Sequence, residues 1–141
     1  MGVEVYLVFN GNCREAAEFY AEAFNTEKPV IQTFGETPTD PNFEMPEEAK
    51  NLVMHTRLNI AGSRVMFSDT WPGQPYTVGN NVTVAVISDD EEYLRKSFDA
   101  LKEGGQVVME LQETFWSKSY GSLKDKFGVE WQFSHEEAEA K

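Results

Sequence analysis

The sequence predicts an α+β fold built from two strand–helix–strand–strand–strand (βαβββ) units with curved mixed sheets. Three observations carry that prediction. A glycine turn leading into a short alternating strand occurs twice: Ala61-Gly62 precedes Val65-Met66-Phe67-Ser68, and Phe127-Gly128 precedes Trp131-Gln132-Phe133-Ser134, at a shift of 66 residues. A capped helical stripe also occurs twice, Asn12 to Phe24 and Asp89 to Leu101, at a shift of 77 that sets Tyr6 on Thr83. Finally, a four-stranded sheet with one helix buries a single face, so two such units with their other faces turned inward make a concave surface.

Each element follows from local pattern. Val5–Phe9 alternates, with Val5, Leu7 and Phe9 on one side and Tyr6 and Val8 on the other. Asn12 with Glu15 reads as a capping-box variant, and Ala16, Phe19, Tyr20, Ala23 and Phe24 then recur at helical spacing. A strand is expected near Val30–Phe34. Glu36 to Asn51 is acidic and carries three prolines, which predicts a loop or lid. Strands over about Leu52–Ile60 and Ser63–Ser68 flank Ala61-Gly62, and Asp69 to Asn80 connects the halves. Val82–Ile87 is β-branched, and Asp89 with Glu92 caps a helix whose face is Tyr93, Leu94, Phe98 and Leu101. Gly104-Gly105 ends that helix. Strands near Val107–Leu111, Ser119–Leu123 and Val129–Phe133 complete the second unit. The boundaries are therefore unit 1 at about 3–69, a linker at about 70–80, unit 2 at about 81–135, and a frayed helix or tail at 136–141.

Composition narrows the function classes. The chain has 141 residues and a formal net charge of −12, with 24 acidic against 12 basic side chains. Such a field repels phosphate backbones and anionic membranes, so nucleic acid and membrane are excluded as partners. One cysteine, Cys13, rules out an internal disulfide framework and suits a reducing compartment. The start shows no basic region followed by an apolar run, so a signal peptide is not expected. A cytoplasmic protein is the expectation.

The segments Tyr6-Leu7-Val8-Phe9-Asn10-Gly11-Asn12-Cys13, Ile60-Ala61-Gly62-Ser63, Met66-Phe67-Ser68-Asp69 and Gln112-Glu113-Thr114-Phe115-Trp116 resemble the PhnB-like subfamily. Asp125-Lys126-Phe127-Gly128-Val129 with Trp131 extends the likeness over nearly the whole chain. The paired units are similar to the vicinal oxygen chelate superfamily, which includes glyoxalase I, extradiol dioxygenases and bleomycin-resistance proteins. The resemblance implies a glyoxalase/bleomycin-resistance-like fold. In metal-using members it implies ligands on the concave face of the first and last strand of each unit. Carried onto this chain, those positions are about Tyr6, Met66, Thr83 and Gln132. Divalent ions there need imidazole or carboxylate donors, and only Gln132 is of a residue type found at such sites. No metal and no other cofactor is therefore expected, a divalent ion being the alternative.

Individual residues carry two readings each. His55 falls with Arg57 and Asn59 on the concave side, as a general acid or base or as a hydrogen-bonded wall group. Arg57 offers a planar fork for a carboxylate or phosphonate, or a partner for a neighbouring acid. Trp116 and Tyr120 stack on a ligand or pack between subunits. Gln132 is an orienting hydrogen-bond group, while Trp131 belongs to the core. Cys13 opens a helix but lies on its apolar side, which favours burial, and His135 is expected to be solvated. The expected ligand-binding set is Tyr6, Val8, His55, Arg57, Met66, Thr83, Trp116, Tyr120 and Gln132, with His55 the catalytic candidate. The first functional reading is a metal-free protein binding a small organic molecule. The alternative is a lyase, isomerase or dioxygenase that is metal-dependent or assisted by His55. An apolar open sheet face also predicts a homodimer. Methyltransferase and DNA-binding labels attach to PhnB-like sequences, but no glycine-rich cofactor turn is present and the charge opposes DNA.

Overall fold

The computed structural model describes residues 1–37 and 40–137. The final expected tail therefore lies largely outside the described residues, as do two positions of the acidic loop. Two compact units are present: Met1–Ala21 with Thr26–Thr77, and Glu22–Asn25 with Val78–Lys141.

The first unit contains β1 (Val5–Phe9), α1 (Cys13–Ala23, its last turn counted with the second unit), β2 (Gln32–Thr33), α2 (Glu47–Lys50), β3 (Val53–Ile60) and β4 (Ser63–Asp69). Its sheet runs β1-β4-β3-β2, with β1 parallel to β4 and the other pairs antiparallel. The core face holds Phe9, Val65, Phe67, Leu58 and Ile60, all buried. Tyr20 of α1 stacks on Phe67 with ring centroids 5.7 Å apart. The alternation read from the sequence thus places the helix on the expected side. Ala61 and Gly62 both adopt positive φ, +50° and +88°, the geometry of a two-residue hairpin turn.

The second unit contains β5 (Val84–Ser88), α3 (Glu91–Leu101), β6 (Gln106–Gln112), β7 (Tyr120–Lys124) and β8 (Glu130–His135), in sheet order β5-β8-β7-β6. Here β5 is parallel to β8. Trp131 and Phe133 are fully buried. Phe98 meets Phe133 edge to face at 5.3 Å, and Phe24 covers Trp131 at 5.3 Å. The α+β fold with two mixed four-stranded sheets is thus as predicted.

Buried aspartates hold the strand ends. In the first unit Asp69 accepts from the N–H groups of Gly11 and Cys13 through Oδ1, and from Val53 through Oδ2. In the second, Asp125 accepts from Phe127 and Val129 through Oδ1, and from the Trp131 indole through Oδ2. Several hydrogen bonds of this kind satisfy the acceptor oxygens of a buried carboxyl group.

Three readings need correction. The expected second strand over Val30–Phe34 shrinks to Gln32–Thr33, because Phe34–Glu36 turns into a one-turn 3-10 helix. The second helix is capped by Asp90, which accepts from the Tyr93 N–H, and not by Asp89. His135 is not solvated: β8 runs on to pair it with Ser88, its Nε2 lies 3.1 Å from the Asp89 carbonyl, and it is buried.

Candidate functional site

The open face of the first unit gathers five of the expected binding residues. Strand register sets Tyr6 of β1 beside Met66 of β4, and Met66 beside Arg57 of β3. His55 lies two residues before Arg57 on the same face, its ring 6.0 Å from that of Tyr6. Val8 follows Tyr6, and both side chains are 46 % exposed. Period-2 alternation produces this grouping: Thr56 and Leu58, their neighbours in β3, point into the core.

His55 and Arg57 also line an open depression of about 920 Å³. Residues of the Thr26–Gln32 segment, Asn59 and Arg64 also line it, while Tyr6, Val8 and Met66 do not. Lys28, Gln32 and Arg64 were missed by sequence reasoning. Lys28 sits in an irregular Thr-Glu-Lys-Pro stretch with no periodicity to flag it, and Gln32 is in a two-residue strand. Arg64 is committed elsewhere, since its guanidinium forms a two-point ion pair with Glu4. That contact holds the Glu4 carboxyl below its ordinary range, mainly through the hydrogen bond. Arg57, by contrast, has no carboxylate or hydrogen-bond partner among the described residues.

The other four expected residues form a connected chain on the second unit. Gln132 donates to the Thr83 hydroxyl at 2.8 Å and accepts from the Tyr120 hydroxyl at 3.0 Å. Trp116 meets Tyr120 edge to face at 5.2 Å, with Phe115 set against Trp116 in the same way. Thr83 is not, however, the register partner of Gln132. That place belongs to Ala85, just as Tyr6 is the partner of Met66. Thr83 precedes β5 by one residue and is reached only by the amide.

Among the described residues, no three His, Cys, Asp or Glu side chains are grouped to hold a metal ion. The positions carried over from metal-using relatives hold Tyr6, Met66, Ala85 with Thr83 before it, and Gln132. A phenol, a thioether, a methyl group and a hydrogen-bonded amide do not fit a divalent ion. The strand-to-helix turn of the first unit is likewise occupied from within. Its Gly11 and Cys13 N–H groups already bond Asp69.

Cys13 is fully buried, and that burial, with the nearby Asp69 charge adding to it, pushes its thiol up to about 12. A thiol so placed is a small core side chain rather than a nucleophile.

A family model described as 3-demethylubiquinone-9 3-methyltransferase matches residues 2–134. Protein YjdN of Escherichia coli (strain K12) is 32 % identical over 140 residues, covering 93 % of this chain and 92 % of that protein. The crystal structure of protein PA1353 from Pseudomonas aeruginosa superposes with a TM-score of 0.82 at 33 % identity, over 98 % of this chain and 99 % of that one. A PhnB protein from Bacillus cereus follows at 0.72 and 26 %, over 96 % and 100 %. A glyoxalase/bleomycin resistance protein from Albidiferax ferrireducens T118 shares the fold at 0.61 and 15 %, over 96 % and 99 %. The chain belongs to the PhnB-like family that carries this methyltransferase description.

Proposed function

We propose that this protein binds a small organic molecule on the open faces of its sheets, without the divalent ion used by metal-dependent relatives. One observation carries the reading: the ligand positions have become a hydrogen-bonding and aromatic lining. Tyr6, Met66 and Val8 supply apolar contact, His55 and Arg57 supply polar contact in the first unit, and Gln132 is oriented by Thr83 and Tyr120 in the second. Preformed clefts of mixed apolar and sparse polar lining are the ordinary form of a small-molecule site. A hydride or methyl donor with a nucleotide moiety is not part of the reading. The β1–α1 turn at Gly11 has its N–H groups bonded to Asp69, and the β5–α3 turn is Asp89-Asp90.

The protein is further proposed to act as a homodimer, since Tyr6, Val8, Ile87, Phe115 and Trp116 leave apolar area on the surface of the single chain. A cytoplasmic location goes with its lone buried thiol. No helix among the described residues is long and apolar enough to cross a membrane. Native mass spectrometry of protein purified from cell extract tests the reading. A co-purifying organic adduct is expected that survives chelator and is lost in Tyr6→Ala with Met66→Ala. An adduct stripped by chelator, or one indifferent to those substitutions, would contradict it.

A further inference from the structure

We infer that the ligand carries an oxyanion, and that Arg57 is the residue that receives it. The inference rests on the binding reading above and adds the chemical class. Arg57 stands on an inner strand of the first sheet, with Met66 beside it in register. It lines the depression and has no carboxylate partner among the described residues, although acids outnumber bases two to one in this chain. Arg64, which also lines the depression, is by contrast paired with Glu4. Leaving a guanidinium unpaired there keeps its fork available for a two-point bond to a carboxylate, phosphate or phosphonate group.

The surroundings agree. Lys28 also lines the depression and has no ion-pair partner among the described residues. His55 lies two residues from Arg57 along β3, about 7 Å away at strand rise. Glu27 is the one carboxylate lining the depression, so with Arg64 neutralised the local balance of fixed charge is positive, opposite in sign to the whole molecule. That local reversal draws an anion to one place and repels it elsewhere. Met66, next to Arg57 on the sheet, with Tyr6 and Val8 on the strand beyond it, suits an apolar or aromatic body attached to the charged group.

The test uses three probes of matched body on the intact, isotope-labelled protein: benzoate, phenyl phosphate and the neutral benzamide, followed by NMR of the Arg57 Nε–H and the His55 ring. The inference expects saturable shifts at both groups from benzoate or phenyl phosphate, whichever binds tighter naming the planar or tetrahedral anion. It expects at least tenfold weaker binding of benzamide, and tenfold weaker anion binding in Arg57→Gln, in part restored by Arg57→Lys. Equal binding of benzamide and benzoate at this face would overturn the inference while leaving the organic-ligand reading intact. No saturable shift from any probe would overturn the inference, and the mass-spectrometric result would then decide the broader reading alone.

Discussion

Single buried polar atoms decide much of this protein. Asp69 is the sharpest case, accepting three backbone N–H bonds from two separate stretches of chain. Each charge-assisted bond contributes about 1.5–3 kcal/mol, and an orphaned buried donor costs a similar amount. Asp69→Ala is expected to lower the unfolding free energy by about 3 kcal/mol or more in urea titration; a loss under 1 kcal/mol would contradict the role given to it. Cys13 makes a second test, with the sign fixed by its raised pKa. Native protein keeps the thiol protonated while the unfolded chain ionises near the ordinary value of 9.0, so the stabilising contribution is complete below pH 9 and is lost toward about 12. Tyr76, whose hydroxyl donates to the Val8 carbonyl, is shifted upward by burial and adds to the same alkaline loss. Stability should therefore fall more steeply above pH 9 in the native sequence than in Cys13→Ala. The native thiol should also stay silent to a disulfide reagent at pH 8 until the protein is unfolded.

At the scale of elements, the repeat was legible because period-2 burial is a direct consequence of pleating. Val65 and Phe67 are buried with Met66 between them facing out, and Trp131 and Phe133 repeat this around Gln132. Even the ends agree: Thr70 donates to the Phe9 carbonyl as Glu136 does to that of Ser88. What sequence could not set was the local offset. The first strands of the units stand 79 residues apart and the helices 78, so the single shift of 77 put Thr83 where Ala85 belongs. Strand pairing, a long-range property, fixes that register. The same pairing carries β8 onward and buries His135. Turn chemistry offers a prediction here. Ala61 holds φ +50° in the hairpin, a region that costs a residue with a Cβ about 1 kcal/mol or more. Asparagine tolerates that region, so Ala61→Asn should raise the melting temperature by several degrees; a fall would show the turn to be unstrained. Gly105 is the reverse case. A Cβ there would meet the Lys124 carbonyl at 2.2 Å, and Gly105→Ala should strongly destabilise the β6–β7 pairing.

For the whole molecule, fold and chemistry separate cleanly. The fold is shared with a glyoxalase/bleomycin resistance protein, while the positions that the resemblance marks as metal ligands hold Tyr6, Met66, Ala85 and Gln132. The site's polar residues were partly legible, since alternation alone put His55 and Arg57 on one face. Lys28 was not, because an irregular segment gives no period from which to infer a direction. Size-exclusion chromatography with light scattering should return a dimer at micromolar concentration, and a clean monomer would remove the proposed covering of the exposed aromatic residues. The loss of ion-binding side chains is the claim on which the binding account turns. Elemental analysis of protein purified without chelators measures it most directly. The account predicts far less than one divalent ion per chain, with organic-ligand binding unchanged by adding metal. One tightly held ion per chain, lost together with ligand binding or an activity, would contradict it.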